Sequence, residues 1–345
     1  MKKGLTIVLF LIILLTAGCA SKWALNTDFS VRQLLWLKSP KTPKVKYLMS
    51  VKGFEETNTT LRSLLYGKGK SVIVRPIAVS TGRDGRFAIA DTGSKSVHLY
   101  IPSEKLYRNL FDVNAGGKEE EIISPVGVTF DDELRLYVSD SVLNKVVVFD
   151  RQGNSLFSIG KAGDSILQRP TGLAYDHNKK LLYVVDTLAH KIYAFNNDGK
   201  LIFSFGRRGN GSGEFNFPTH IFLSSAGQLY VTDAMNFRIQ IFDSTGKFLT
   251  AFGNHGDGSG DFALPKGVAA DKYDIIYVVD SLFDNIQFFN HEGDFLLTLG
   301  NRGGDQGEFW LPSGIFIDDN DTLYICDTYN KRVQMFRIIG DTDEF

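Results

Sequence analysis

The sequence predicts an all-β fold, a six-bladed β-propeller of four-stranded antiparallel blades, and three markers in register predict it. Six of the nine prolines recur in one context: Pro76-Ile-Ala-Val, Pro125-Val-Gly-Val, Pro170-Thr-Gly-Leu, Pro218-Thr-His-Ile, Pro265-Lys-Gly-Val and Pro312-Ser-Gly-Ile, at steps of 49, 45, 48, 47 and 47 residues. An aspartate keeps the same step, at Asp91, Asp140, Asp186, Asp233, Asp280 and Asp327; five of the six close a Tyr-Val-x-Asp or Tyr-Ile-Cys-Asp run. The third marker is a turn, Phe205-Gly206, Phe252-Gly253 and Leu299-Gly300, each leading through a Gly-rich stretch to Phe215, Phe262 or Phe309.

Within a repeat the apolar residues alternate with period two, which is the period of a strand. Leu229 to Asp233, Arg238 to Phe242 and Phe248 to Phe252 are three such runs, with Ser224 to Gly227 and Ser244 to Gly246 as turns between strands. The run after Pro218 makes a fourth. Four short strands in about 47 residues make a propeller blade rather than a solenoid turn. One blade cannot bury both of its faces, so each must pack between two neighbours in a closed ring. The last repeat runs from Pro312 to Arg337 and leaves too few residues for a firm outer strand. An N-terminal strand is therefore expected to close the ring. Thr60-Leu-Arg-Ser-Leu-Leu-Tyr66-Gly67 matches the outer-strand template, placing the repeats at about 60–337; Val45 to Val51 reads as a further strand with no assigned partner.

Composition narrows the function. Lys plus Arg number 38 against 39 Asp plus Glu, a net charge of −1, and loss of Lys2 and Lys3 with a leader takes it to −3. Phosphate neutralisation needs a cationic surplus, so no nucleic-acid partner is expected. Two cysteines exclude a disulfide scaffold and any multi-cysteine metal site. At the N-terminus, Met1-Lys2-Lys3 precedes the apolar run Leu5 to Leu15, which is too short for the roughly 20 residues a membrane span needs. It ends in Leu15-Thr16-Ala17-Gly18-Cys19, which resembles the lipobox of bacterial lipoproteins, with Thr16 where that family usually has Leu. The resemblance implies a signal peptide over 1–18 and a lipid on Cys19. Residues 19–44, with Ser39-Pro-Lys-Thr-Pro-Lys44, read as an extended tether, and 45–345 as the propeller. Trp23 and Trp36 are left between the membrane interface and the domain surface. Ala20 and Ser21, with no Asp after the cysteine, resemble the outer-membrane sorting pattern, so the expected location is the cell envelope, on the outer membrane.

Asp233-Ala-Met-Asn236-Phe-Arg238-Ile and Asp327-Thr-Tyr-Asn330-Lys-Arg332-Val resemble the NHL repeat core, Asp-x-x-Asn-x-Arg-Ile, with degenerate copies after Asp140, Asp186 and Asp280 and the weakest after Asp91. The resemblance implies a six-bladed propeller that binds proteins, RNA or small molecules, and in a minority of cases catalyses. A residue repeated in every blade reads as structural, so the six aspartates are expected to accept backbone N–H groups in the turns that follow them. Enzymes of this type that bind zinc place histidine beside the blade-start proline. Here Ile77, Val126, Thr171, Thr219, Lys266 and Ser313 stand there, and His220 is alone one place further on. Zinc needs three or four converging ligands; no metal site, cofactor or catalytic residue is assigned.

Two loop features exceed structural need. After the repeated aspartates stand Val142-Leu143, Leu188, Met235 with Phe237, Leu282-Phe283 and Tyr329, large apolar side chains expected on one face. The Gly-rich loops of the same face carry Lys68, Lys161, Arg207, Arg208, His255 and Arg302, with Glu214, Asp261 and Glu308 placed to neutralise them. Cys326 reads as a small buried hydrophobe. The expected function is a lipid-anchored extracytoplasmic scaffold, non-enzymatic, binding another envelope protein or a small ligand through Leu188, Met235, Phe237, Leu282, Phe283, Tyr329, Arg207, Arg208, Arg302 and His220. The alternative is a metal-dependent envelope lyase or hydrolase with its site at the central channel mouth near His220.

Overall fold

The computed structural model describes residues 21–29, 35–36, 44–59, 61–110 and 122–339. It is a six-bladed propeller. Five blades are four-stranded antiparallel sheets whose strands lie side by side in chain order. Blade four is typical, with strands Pro218–Leu223, Gln228–Asp233, Arg238–Asp243 and Phe248–Phe252. The proline-led strand of each blade lines the central cavity.

The core lies between blades rather than within them, as expected for sheets whose two faces are both covered. Ala90, Val97 and Leu99 of blade one pack with Val128, Leu136, Val138 and Phe149 of blade two. Ala269, Tyr277 and Phe288 of blade five do the same with Ile315, Leu323 and Phe336 of blade six. The tyrosine of the Tyr-Val-x-Asp run sits in this interior. Tyr137, Tyr277 and Tyr324 each donate their hydroxyl to an aspartate at the turn before their own strand: Asp131 at 3.1 Å, Asp271 at 2.7 Å and Asp318 at 3.0 Å. Each buried hydroxyl is thereby satisfied and the first turn of the blade is pinned to its second strand.

Ring closure uses the N-terminus, as predicted, but through a different segment. Blade six takes three strands from the end of the chain, Ile315–Ile317, Thr322–Asp327 and Arg332–Ile339. Its fourth is β3, Lys44–Glu56, following β1 (Trp23–Phe29) and β2 (Leu35–Trp36); Ile339 to Val333 pair with Lys44 to Val51. Val45 and Tyr47 enter the core between blades five and six. The strand that lacked a partner in the sequence is thus the closing strand. Thr60–Gly67, expected in that role, instead carries the short helix α1, Leu61–Tyr66, followed by β4, Lys70–Val72. Leu61 to Tyr66 contains no β-branched residue, so its local preference is helical. The Tyr66-Gly67 pair imitates the outer-strand turns because Gly67, like Gly206 and Gly253, needs a positive φ (81°, 93° and 99°). At Gly67 the left-handed residue follows a helix.

The tether expectation is corrected as well. Trp23 to Phe29 pair with Glu56 to Met49 as a fifth strand on blade six. Trp23 docks on the domain, its ring 5.0 Å from that of Tyr107. Alternation decides this: Trp23 and Leu25 pack against the cluster shared by blades six and one. Cys19 and residues 1–18 lie outside the described residues.

A seam between blades is repeated at three of the six junctions. The hydroxyl-bearing residue after the repeated aspartate donates to the blade-start proline carbonyl of the next blade: Thr187 to Pro218 at 2.7 Å, Ser281 to Pro312, and Thr328 to Pro76 at 2.9 Å. The last of these joins blade six to blade one. Val45→Ser, which places a hydroxyl in a fully buried site, is expected to cost about 2 kcal/mol, whereas Leu64→Ser on exposed α1 stays within about 0.5 kcal/mol; urea unfolding of both variants checks the assignment.

Candidate functional site

The six repeated aspartates are fully buried. Asp280 accepts the backbone N–H groups of Ala263 (2.7 Å) and Leu264 (3.1 Å) ahead of the blade, and of Leu282 (3.0 Å) and Phe283 (3.2 Å) in the turn after it. Asp91 and Asp140 hold the same four positions in their blades. In blade four Asp233 takes Asn216 N–H, and side chains complete its shell: Asn236 Nδ2 at 2.8 Å, Arg238 Nε at 2.8 Å and Gln240 Nε2 at 3.0 Å. Asn330, Arg332 and Gln334 repeat this around Asp327. Arg238 and Arg332 also donate to the carbonyls of Glu214 and Glu308 in the Gly-rich loops, so both loop sets open on one face. These carboxylates are occupied by structure. In blade one burial would raise the Asp91 carboxyl, but the His98 ring and three or more backbone N–H groups outweigh it and hold it down to about 2.

The apolar loop residues divide. Val142 is 57% exposed, Leu188 43%, Met235 44%, Leu282 60% and Tyr329 41%. Phe237 and Phe283 are only partly exposed. Phe237 has left-handed backbone geometry (φ 52°), and its ring turns onto His255 at 4.3 Å and the core between blades four and five. The reason is positional: every residue four past a repeated aspartate, Lys95, Asn144, His190, Phe237, Asp284 and Lys331, has positive φ, and the residue two past the aspartate takes the outward position. Trp310, absent from the sequence-based set, joins the face at 41% exposure, 5.5 Å from Tyr329.

The basic loop residues are held locally. Arg207 pairs with Glu214 at 2.7 Å. Arg302 lies over the Trp310 ring at 5.8 Å and 4.0 Å from Asp284. Arg208 is exposed and bridges by its backbone to Phe215. Arg75, not singled out in the sequence, donates to the Tyr329 hydroxyl at 3.0 Å.

His220 lies elsewhere, inside the ring. The Pro-x-Gly pattern exists because inner strands approach backbone to backbone: a Cβ on Gly127 would lie 2.2 Å from the Thr171 carbonyl oxygen, and one on Gly172 would lie 2.8 Å from His220 Cα. Blade four has histidine at this level. His220 Nδ1 accepts the Val268 N–H at 3.3 Å, which leaves Nε2 carrying the proton. The ring touches channel space but is surrounded by protein, and this burial pushes it down to about 4. Lys266, directly after the blade-five proline, is half-buried, and its ammonium is lowered by burial and by Arg169.

Below His220 the channel widens into a cavity of about 460 Å³ that reaches the turns between first and second strands. Phe222 and Phe316 line it edge to face at 6.5 Å, with Ser80 and Thr129 among the other lining residues. Beside its mouth, Asp132 of blade two joins three blades: Arg83 at 2.8 Å from blade one, and His177 at 2.8 Å with Lys180 from blade three. Burial opposes ionisation of Asp132, yet its hydrogen bonds to Lys180 and His177 and the nearby Arg83 keep its carboxyl below the usual range. No repeat marker signals Phe222, Phe316 or Asp132, because each occurs in one or two blades only. Among the described residues no three His, Cys, Asp or Glu side chains meet to hold a metal ion. Cys326 is fully buried with its thiol pushed up by burial.

A family profile described as a 6-bladed beta-propeller, DUF5128, matches residues 167–228, 224–282 and 269–340, about half of the chain. The chain belongs to the DUF5128 family. No curated protein matches it. Among solved structures, this DUF5128 propeller is similar to a gluconolactonase, XC5397 from Xanthomonas campestris, with TM-score 0.62 and 14% identity over 91% of this chain and 97% of that one. It is also similar to virginiamycin B lyase from Staphylococcus aureus (TM-score 0.55, 14% identity, 77% and 96% covered) and to a streptogramin B lyase (0.55, 12%, 77% and 94%). At these identities the likeness is one of fold.

Asp91 is held below its ordinary value of 3.8, so its contribution is complete above pH 4 and is lost as pH falls towards 2. Asp91→Asn is expected to remove about 2 kcal/mol at neutral pH and to flatten the unfolding curve in that acid window. His220 runs the other way: the unfolded chain takes up a proton near pH 6.5 and the folded chain only near 4. Folding therefore weakens between these values, by about 3 kcal/mol at most. An NMR titration of His220 should show no protonation between pH 8 and 6, and His220→Gly should make the acid limb shallower.

Proposed function

We propose that this propeller is a lipid-anchored, NHL-like binding scaffold of the cell envelope, non-enzymatic, whose face of repeated-aspartate loops receives a partner protein. One observation carries the reading: in five of six blades the residue two past the aspartate is a large apolar side chain that stays 41% to 60% exposed. The carboxylates nearby are bound to backbone and side-chain donors, so the face offers contact surface rather than acids or bases. Apolar surface rimmed by polar groups is the chemistry of protein recognition. Arg75, Arg302 and Trp310 around Tyr329 add the residue types that dominate interface energies.

The competing reading is an envelope lyase or hydrolase working in the central cavity. His220 and the cavity volume favour it. Against it, a histidine with a pKa of about 4 is a weak base at neutral pH, and the ligand set for zinc or calcium is not assembled from the described histidines and carboxylates.

Met235→Ser with Leu282→Ser is expected to reduce recovery of a cross-linked envelope partner about tenfold, as loss of two interface anchors would, while circular dichroism and the unfolding midpoint stay unchanged. Unchanged recovery from these variants, together with loss of a small ligand's binding in Phe222→Ala, would favour the cavity instead.

A further inference from the structure

The start of the described chain and helix α1 are clasped together at the outer edge of the junction between blades six and one. Glu56, 6% exposed, makes the clasp: the Ser21 hydroxyl donates to its Oε1 at 2.6 Å and the Gly69 N–H to its Oε2 at 2.9 Å. Around it Thr57 N–H donates to the Lys22 carbonyl at 2.7 Å, Lys22 N–H to Asn58 Oδ1 at 2.6 Å and Lys68 Nζ to the Thr57 carbonyl at 3.1 Å. The Trp23 ring covers Gly69, where a Cβ would lie 2.7 Å from it.

On this clasp α1 carries the most exposed apolar side chains of the described residues: Leu64 at 74%, Leu65 at 69% and Tyr66 at 83%. They are consecutive and contribute nothing to the interior. Lys22 and Lys68 flank them, while Lys70 is paired with Glu55 at 3.0 Å. Cys19 is two residues before Ser21, which puts it within about 7 Å of Ser21 at full extension. A lipid on Cys19 would therefore hold this corner of the ring, and no other, at the headgroup level of a bilayer.

We propose that α1 is a second membrane contact: Leu64, Leu65 and Tyr66 insert into the bilayer beside the lipid anchor, with Lys22 and Lys68 at the anionic headgroups. The inference rests on the reading of Cys19 as lipidated. A short apolar tip flanked by cations is a weak binder alone, but a neighbouring acyl chain raises its effective concentration at the surface.

The test uses the full chain, purified from membranes and reconstituted in phosphatidylethanolamine–phosphatidylglycerol vesicles, carrying either Leu65→Cys or Ile202→Cys. Ile202, 51% exposed, is on the outer strand of blade three, across the ring. Labelling by a membrane-impermeant maleimide is followed on the peptide containing each site, and intact mass reports the modification of Cys19. The expected result is labelling at 65 slowed about tenfold relative to 202 on vesicles, and equal rates for the two sites in Cys19→Ser chains without vesicles. Equal rates on vesicles with Cys19 lipidated overturn the insertion and leave the anchor standing. An unmodified Cys19 with slow labelling at 65 supports the insertion and removes the anchor.

Discussion

A carboxylate sealed from water at the end of the second strand of each blade is the constraint on which the rest of this molecule depends. It is fully buried and takes N–H donors from two chain segments about 19 residues apart, the link entering the blade and the turn leaving its second strand, with third-strand side chains such as Arg238 and Gln240 completing the shell in some blades. Burying such a charge unpaired would cost several kcal/mol, so both segments are obliged to converge on it. That convergence sets where the blade-start proline lies, and in blades three, five and six the hydroxyl next to the aspartate then reaches the following blade. Spacing, register and ring assembly thus share one electrostatic cause.

What the network leaves free is where function can reside. Two residues past each aspartate the side chain is pushed outward, because the backbone beneath it is tied down; the chain fills those positions with Val142, Leu188, Met235, Leu282 and Tyr329. The opposite end of the channel is under no such repeat constraint and differs from blade to blade, with aromatic rings on blades four and six and hydroxyls on blades one and two. The two ends therefore offer different chemistry. One is a ring of exposed apolar side chains set among polar loops, the other a small mixed cavity with an imidazole above it.

The repeat itself was legible, since Pro, Asp, Tyr and Gly each answer to a geometric demand that recurs in every blade. The roles of the six aspartates, of Arg238 and Arg332, and the burial of Cys326 could be read for the same reason. Unique features were not. Thr60–Gly67 reads as an outer strand in sequence and carries a helix in the structure, because a glycine with positive φ follows both a strand turn and a helix end. The inward turn of Phe237 and the partial cover of Phe283 are not legible, because spacing says nothing about which residue of a loop turns inward. Phe222, Phe316 and Asp132 left no trace, being functional candidates only through neighbours from other blades.

The sequence by itself determined the number of blades, their strand order and the need for the N-terminus to finish the ring, because these follow from periodic local chemistry and from counting strands. Only the tertiary structure decided which N-terminal segment closes blade six, that Trp23–Phe29 is packed rather than free, and that His220 sits neutral above a cavity. Those outcomes depend on contacts between residues hundreds of positions apart, such as Val45 with Ile338 or Thr328 with Pro76. A closed ring brings such residues together, and no local pattern in the chain encodes their meeting.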